Sequence, residues 1–241
     1  MLLLKIITFQ LIVYTFFQKN IPVIFFVFRL KYVRIKKDFY VTKSLLVIVV
    51  KKVRVVSGKY KGCPLKAVPG NSTRPTTDKV KEAIFNIMGP YFEGGIALDL
   101  FAGSGGLGIE GLSRGLDKVI FVDQDKKAIS TIYDNLKTCK ISEEVEVYRN
   151  DSFRAAKALA KRGLQVDFLF LDPPYAKQEL VKLITFFIEN NLLKSTSVIL
   201  CEHDKSVQLP DTIGPLYRRK FEIYGIIAIS IYEFSNDSEL V

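Results

Sequence analysis

The stretch Ile96-Ala-Leu-Asp-Leu-Phe-Ala-Gly-Ser-Gly-Gly-Leu-Gly108 decides the fold of this chain. An apolar run of strand length ends at Phe101 and passes directly into Gly103-Ser104-Gly105-Gly106-Leu107-Gly108, a G-x-G-x-x-G loop that opens a helix. Glycines there let the backbone turn tightly and let a ligand approach its amides. The loop does not by itself name the ligand. Nicotinamide and flavin nucleotides use the same device, and Asp123, at the end of the next apolar run, would suit a ribose in any of them or else cap the helix that follows. Asp99 narrows the choice, since a carboxylate just ahead of the loop can reach a cofactor amine but has no evident use beside a pyrophosphate.

Outward from this loop, short apolar runs alternate with helical patterns, as in a parallel sheet. Strands are predicted near Ile96–Phe101, Val119–Asp123, Val145–Arg149, Phe168–Asp172, Val198–Glu202, Tyr217–Tyr224 and Ile226–Phe234. Helices are predicted around Leu107–Arg114, Lys126–Thr138, Phe153–Arg162 and Gln178–Asn190. Before the loop, Val80, Ile84, Ile87 and Met88 recur at helical spacing from Asp78 until Gly89-Pro90 ends the pattern. The last two strands meet around Gly225, too closely for a helical crossover, so they form an antiparallel hairpin. The expected fold is α/β and Rossmann-like, with seven mostly parallel strands and a C-terminal hairpin. Asn150 and Asp151, ending the third strand, can contact an adenine amino group, cap the next helix, or both.

Asp172-Pro-Pro-Tyr175 follows the apolar strand Phe168–Leu171 and indicates the chemistry. Pro173 and Pro174 stop the strand and stiffen the turn at the carboxyl edge, where such sheets bind ligands. An exocyclic amine on a nucleobase is a poor nucleophile because its lone pair is conjugated into the ring. The Asp172 carboxylate and the Pro173 carbonyl can accept its two N–H groups, while Tyr175 stacks on the extruded base, a contact worth about 1–3 kcal/mol. With Asp99, Asp123 and the loop residues Phe101, Gly103, Ser104 and Gly105 holding the cofactor, the pattern points to a class I methyltransferase using S-adenosylmethionine. In-line methyl transfer needs positioning above all, with no metal and no covalent enzyme intermediate. His203, the single histidine, reads as structural.

The net charge of +10 is concentrated at one end of the chain. Residues 1–52 carry ten Lys and Arg against Asp38 alone, while the 25 basic and 24 acidic residues from Val53 onward nearly cancel. One local patch remains: Arg54, Lys59, Lys61, Lys66, Arg74, Lys79 and Lys81 face only Asp78 and Glu82. Within it, Arg54, Lys59, Lys61 and Lys66 are the candidate phosphate contacts to RNA. Cys63, Cys139 and Cys201 are far apart and odd in number, so no disulfide framework or zinc spacing can be built locally, and a reducing, cytoplasmic compartment is expected.

Residues 1–52 contain no Gly and no Ala, and the composition changes abruptly after Lys52. The segment is expected to lie outside the functional domain, 53–241, whose first part, 53–77, is the basic segment. Its Phe, Ile, Lys and Tyr bias is what AT-rich upstream sequence translated in frame would give. The competing reading inserts Ile6–Phe28 in a membrane, against the cost of Lys19, Asn20 and Pro22 in mid-span.

From Val53 to about Phe234 the chain resembles the bacterial 16S rRNA guanine-N2 methyltransferases of the RsmD type. The matching text comprises Arg54-Val-Val-Ser-Gly-Lys-Tyr-Lys-Gly62, Thr73-Arg-Pro-Thr-Thr-Asp-Lys-Val-Lys-Glu-Ala-Ile-Phe-Asn86, Leu98-Asp-Leu-Phe-Ala-Gly-Ser-Gly105, Phe170-Leu-Asp-Pro-Pro-Tyr175 and Glu202-His203. That resemblance implies S-adenosylmethionine as cofactor, an N2-methylguanine in small-subunit rRNA as product, and Arg74 and Thr76 over the cofactor site. It also implies 16S rRNA or an assembly intermediate of the small subunit as partner, with a monomeric enzyme and no membrane. Gly106 stands where many relatives carry Ala, a small change. Two rival readings are a DNA adenine-N6 methyltransferase, whose amine D-P-P-Y would serve equally, and a non-catalytic RNA-binding module.

Overall fold

The computed structural model describes residues 9–18, 21–30, 46–51, 53–70, 78–173 and 177–235. The chain divides into two units, 1–52 and 53–241. In the first, β1 (Phe9–Gln18), β2 (Ile21–Leu30) and β3 (Leu46–Lys51) form an antiparallel sheet in that order. Their β-branched and aromatic content favours extended chain, so strands stand where the membrane reading would place a helix. Among the described residues no helix is long and apolar enough to cross a membrane.

The second unit opens with β4 (Val53–Arg54) and β5 (Pro64–Leu65), a short antiparallel pair, followed by α1 (Asp78–Met88). Then come β6 (Ile96–Asp99), α2 (Gly106–Ser113), β7 (Lys118–Asp123), α3 (Lys126–Thr138), β8 (Glu144–Arg149) and α4 (Ser152–Arg162). After them stand β9 (Val166–Leu171), α5 (Lys177–Glu189), β10 (Leu193–Asp204), β11 (Thr212–Ile213), β12 (Leu216–Tyr224) and β13 (Ile227–Phe234). Strands β6 to β13 make one sheet in the order β11-β12-β13-β10-β9-β6-β7-β8. It is parallel from β8 to β10 and antiparallel from β10 to β11. The seven predicted strands are all present. The correction is an eighth, β11, whose two residues pair with Tyr217 and Leu216 and are too few to show an alternation.

Two apolar layers cover the sheet. On one face Leu98, Leu169, Leu171, Ile199 and Tyr232 pack with Leu180, Leu183, Ile184 and Phe187 of α5. On the other, Ala97, Phe121, Phe170, Leu200 and Ile231 pack with Ile84 and Phe85 of α1 and Ile109 and Leu112 of α2. A Cβ on Gly108 would lie 2.3 Å from the Phe121 ring, so that glycine is what lets α2 lie directly on β7.

A buried charge cluster fastens the basic segment to this scaffold. Glu110, on α2 and fully buried, accepts hydrogen bonds from the Val56 amide (2.8 Å), the Ser57 amide (2.9 Å) and Arg114 Nε (2.9 Å). Lys81 of α1 lies 3.5 Å from the same carboxylate and donates to the Arg54 carbonyl at 2.5 Å. Burial lowers the Lys81 pKa, opposed by Glu110. The Arg114 guanidinium lies over the Phe85 ring, donates to the Pro90 carbonyl and leaves Nη2 without a hydrogen bond.

The expectation that the cysteines stand apart is corrected: Cys63, beside β5, and Cys139, at the end of α3, are disulfide-bonded across a sequence separation of 76. Cys201 is free and buried. The patch is likewise reduced, because Arg54 pairs with Asp78, Lys59 with Glu143 and Lys66 with Asp134, while Lys81 is buried.

Removing one member of a buried ion cluster strands the others. Glu110→Ala is expected to cost about 3–5 kcal/mol of stability in urea unfolding at neutral pH. A loss below about 1 kcal/mol would show that the cluster does not anchor the segment.

Candidate active site

The site lies at the carboxyl edge of β6, β7, β9 and β10, and register decides which side chains meet there. Asp99 pairs with Phe170, and Leu171 pairs with Cys201. Because strand side chains alternate, Asp99, Asp172 and Glu202 follow one another on the face covered by α1 and α2. Asp99 and Glu202 are buried and Asp172 is half-buried.

Asp99 receives the Gly108 amide at 3.2 Å, and the Phe101 amide also donates to it. Burial nevertheless raises its pKa to about 7, with the Asp123 charge adding to the effect. Burial likewise pushes the Asp172 carboxyl well above the usual range, reinforced first by Glu202 and then by Asp99. Desolvation at this dry edge therefore leaves Asp99 and Asp172 holding protons that water-exposed carboxyls would release, with neighbouring acids adding to the effect.

The glycine loop is built as its sequence predicts. Gly105 adopts φ 78° at the start of α2, a left-handed conformation that suits glycine. Asp123 accepts the Gly103 amide at 2.8 Å and the Asp125 amide at 2.8 Å, so it ties the loop to the end of β7. The helix cap one reading gave to Asp123 belongs to Asp125, which accepts from the Lys127 amide. Asp151 caps α4 through the Phe153 and Arg154 amides, and Asn150 joins the same edge by donating its amide to the Asp123 carbonyl. Phe101, Ser104 and Pro173 also stand at this edge, whereas Arg74, Thr76, Pro174 and Tyr175 lie outside the described residues.

Asn135 was not singled out in the sequence. Fully buried on α3, it donates to the carbonyls of Ser104 (2.8 Å) and Lys66 (3.0 Å) and accepts from the Lys66 amide (2.8 Å). It thus joins the glycine loop to the basic segment. Its only sequence signal is an amide beside Ile132 and Leu136, on the apolar face of an amphipathic helix.

His203 lies on the opposite face. Its Nε2 is 3.0 Å from Ser230 Oγ and its Nδ1 3.0 Å from the Asp204 carbonyl, and burial lowers its pKa. Both nitrogens have structural partners, in keeping with the role read from sequence. Among the described residues no group of three or more His, Cys, Asp or Glu could hold a metal ion.

A parallel sheet with a glycine loop after its first strand, acids ending the neighbouring strands and Asp172-Pro173 at the edge defines a class I methyltransferase fold. Residues 53–233 match the family described as "Conserved hypothetical protein 95". The chain is 55% identical over 180 residues to the "Putative rRNA methyltransferase YlbH" of Bacillus subtilis, covering 75% of this chain and 98% of that protein. It is 36% identical over 185 residues to the "Ribosomal RNA small subunit methyltransferase D" of Haemophilus influenzae, covering 76% and 94%. Among solved structures, the "Putative methyltransferase yhhF from Escherichia coli" aligns with TM-score 0.66 and 28% identity, over 76% of this chain and 98% of that one. The chain belongs to the Conserved hypothetical protein 95 family, that of the RsmD-type methyltransferases.

An acid with a raised folded-state pKa stabilises the fold fully below its unfolded pKa and loses that contribution as pH rises through the folded one. For Asp99 the window runs from about 4 to about 7. In urea unfolding of the ligand-free protein, Asp99→Asn should therefore gain stability relative to wild type as pH rises across that window, by a few kcal/mol in all. Parallel stability profiles for the two proteins would contradict this assignment.

Proposed function

We propose that this protein transfers a methyl group from S-adenosylmethionine to the exocyclic N2 amine of a guanine in 16S rRNA. The observation that carries the reading is the Asp172 carboxyl, desolvated at the end of β9 beside Asp99 and the glycine loop. The rRNA substrate is taken from the names of the relatives, and guanine N2 from the motifs shared with the RsmD type.

The residues fit the cofactor. Asp99 is a buried carboxylate whose charge is disfavoured by desolvation, and a cofactor ammonium would relieve it. Asp123 holds the loop by one oxygen and retains lone pairs for ribose hydroxyls. Asn150 and Asp151 stand at the adjoining strand end for the adenine, and Arg74 and Thr76 complete the cofactor set. The cofactor supplies an electrophilic methyl group.

The chain's own residues prepare the nucleophile. Asp172 and the Pro173 carbonyl accept the two amine N–H groups, which turns the lone pair out of conjugation and aims it. Pro174 stiffens that turn and Tyr175 stacks on the base. Once methylated, the nitrogen carries a proton it must lose, and a carboxylate with a raised pKa is suited to take it. The enzyme acts as a monomer without a metal. We read it as cytoplasmic from its rRNA substrate, and the Cys63–Cys139 disulfide is the feature that departs from a reducing compartment.

The basic segment 53–77 grips phosphates. Lys61 is exposed, and Arg54, Lys59 and Lys66 exchange Asp78, Glu143 and Asp134 for RNA. The functional domain is 53–241, with residues 1–52 outside it, a division supported by the family match beginning at residue 53.

Asp172→Ala should retain cofactor binding by calorimetry and lose single-turnover methylation of small-subunit RNA by 100-fold or more, in the range of a lost acid–base group. Undiminished turnover would overturn the mechanism. Lys61→Ala should lower the slope of log affinity for RNA against log salt by about one. An unchanged slope would move the phosphate contact elsewhere.

A further inference from the structure

Glu202 is a buried acid at the carboxyl edge that neither the cofactor set nor the methyl transfer described above employs. Register fixes its place. Leu171 of β9 pairs with Cys201 of β10, so the residues that follow in these parallel strands, Asp172 and Glu202, stand side by side on the same face, opposite His203. The nearness shows in the electrostatics, where Glu202 acts on Asp172 as a negative charge, ahead of Asp99. On its other side Glu202 pairs with Ile229 of β13, which belongs to the apolar layer of Leu200 and Ile231. The carboxylate therefore has the amine-holding acid on one flank and hydrocarbon on the other.

Glu202 is only 5% exposed, so a hydrogen bond donated by a ligand counts for more there than it would in water. The bases that carry an exocyclic amine differ in what stands next to it. In adenine and in cytosine the ring nitrogen beside the amine, N1 or N3, is an acceptor. In guanine the N1 position carries a hydrogen and is a donor. Once Asp172 and the Pro173 carbonyl hold the two hydrogens of an amine, an acid beside Asp172 faces that ring nitrogen. Guanine would bring it N–H, whereas adenine or cytosine would bring a lone pair against a negative oxygen. A carboxylate offers about four acceptor positions, so Glu202 need not give up an existing contact to take this donor.

We propose that Glu202 is the specificity-determining residue of the site, its carboxylate accepting the N1–H of the target guanine while Asp172 and Pro173 hold the N2 amine. The assignment rests on the guanine reading above and adds the group that selects the base. An enzyme acting on an extruded base reads it along this Watson–Crick edge, and a buried group built to meet a donor rejects an analogue lacking it.

The test uses the full chain and small-subunit RNA in which the guanine labelled by the wild type is replaced by 2-aminopurine. That base keeps the N2 amine and turns N1 from a donor into an acceptor. The wild type should prefer guanine by of order 100-fold in kcat/KM, the range of one buried charged acceptor left facing a lone pair. Glu202→Gln, whose side-chain amide can donate to N1 of 2-aminopurine, should narrow that preference by about tenfold or more, lowering kcat/KM for guanine and raising it for 2-aminopurine. A merely structural role would lower both together. The O6 that 2-aminopurine lacks is lost to both proteins alike and cancels from the comparison, and cofactor affinity by calorimetry should be retained. If Glu202→Gln does not fold by circular dichroism, Glu202→Asp takes its place, its shorter carboxylate narrowing the preference in the same direction. A wild type indifferent to the two bases, or a preference unchanged in a folded variant, overturns the assignment while N2-methylguanosine in the wild-type product leaves the function intact. Failure of the wild type to form N2-methylguanosine in any small-subunit RNA overturns both readings together.

Discussion

The carboxyl edge of the sheet gathers acids where water is scarce. Asp99 and Glu202 are buried, and Asp172 is desolvated beside them. Burying carboxylates in company is unfavourable unless they are protonated, hydrogen-bonded or paired with a cation. The fold meets part of that cost with backbone, giving Asp99 the amides of Gly108 and Phe101. The rest is left standing as raised pKa values. A site with this imbalance favours a cationic ligand, and it also keeps a proton acceptor within reach of a neutral amine. Both follow from one arrangement, in which parallel strands end together and their last residues face the same side.

Two polar attachments decide where the segment ahead of the sheet lies relative to that edge. Glu110 holds Val56 and Ser57 against α2, whose first turn is the glycine loop. Asn135 holds Lys66 and Ser104 together from α3. The glycine loop and the basic segment are therefore anchored by shared residues rather than by separate ones, so a disturbance of either should be felt at the other. A buried ion cluster is an uncertain source of net stability, but it is directional, and removing any one partner exposes the rest.

Much of this is legible in the sequence alone. The glycine loop, the predicted strands and the antiparallel hairpin around Gly225 all follow from local pattern, because period and turn residues are local properties. Asp172-Pro173 showed its position in the same way, since prolines end a strand wherever they fall. What escaped depends on distance in the chain. Cys63 and Cys139 meet only because β5 packs beside α3, and nothing in their spacing announces it. Asn135 reads as an ordinary helix residue until its three backbone partners are known. The sequence shows the charge of the basic segment but not its neutralisation, since Asp78, Asp134 and Glu143 are brought to it by folding. Thr212–Ile213 is too short to carry a pattern at all.

The account stands or falls on the identity of the methylated nucleoside. Purified protein incubated with S-adenosylmethionine and an equal mixture of unmodified small-subunit particles, free rRNA and duplex DNA can be digested and its nucleosides resolved by mass spectrometry. The account predicts N2-methylguanosine from the small-subunit RNA and nothing from the DNA. N6-methyladenine in the DNA fraction, with no methylguanosine in the RNA, would contradict it.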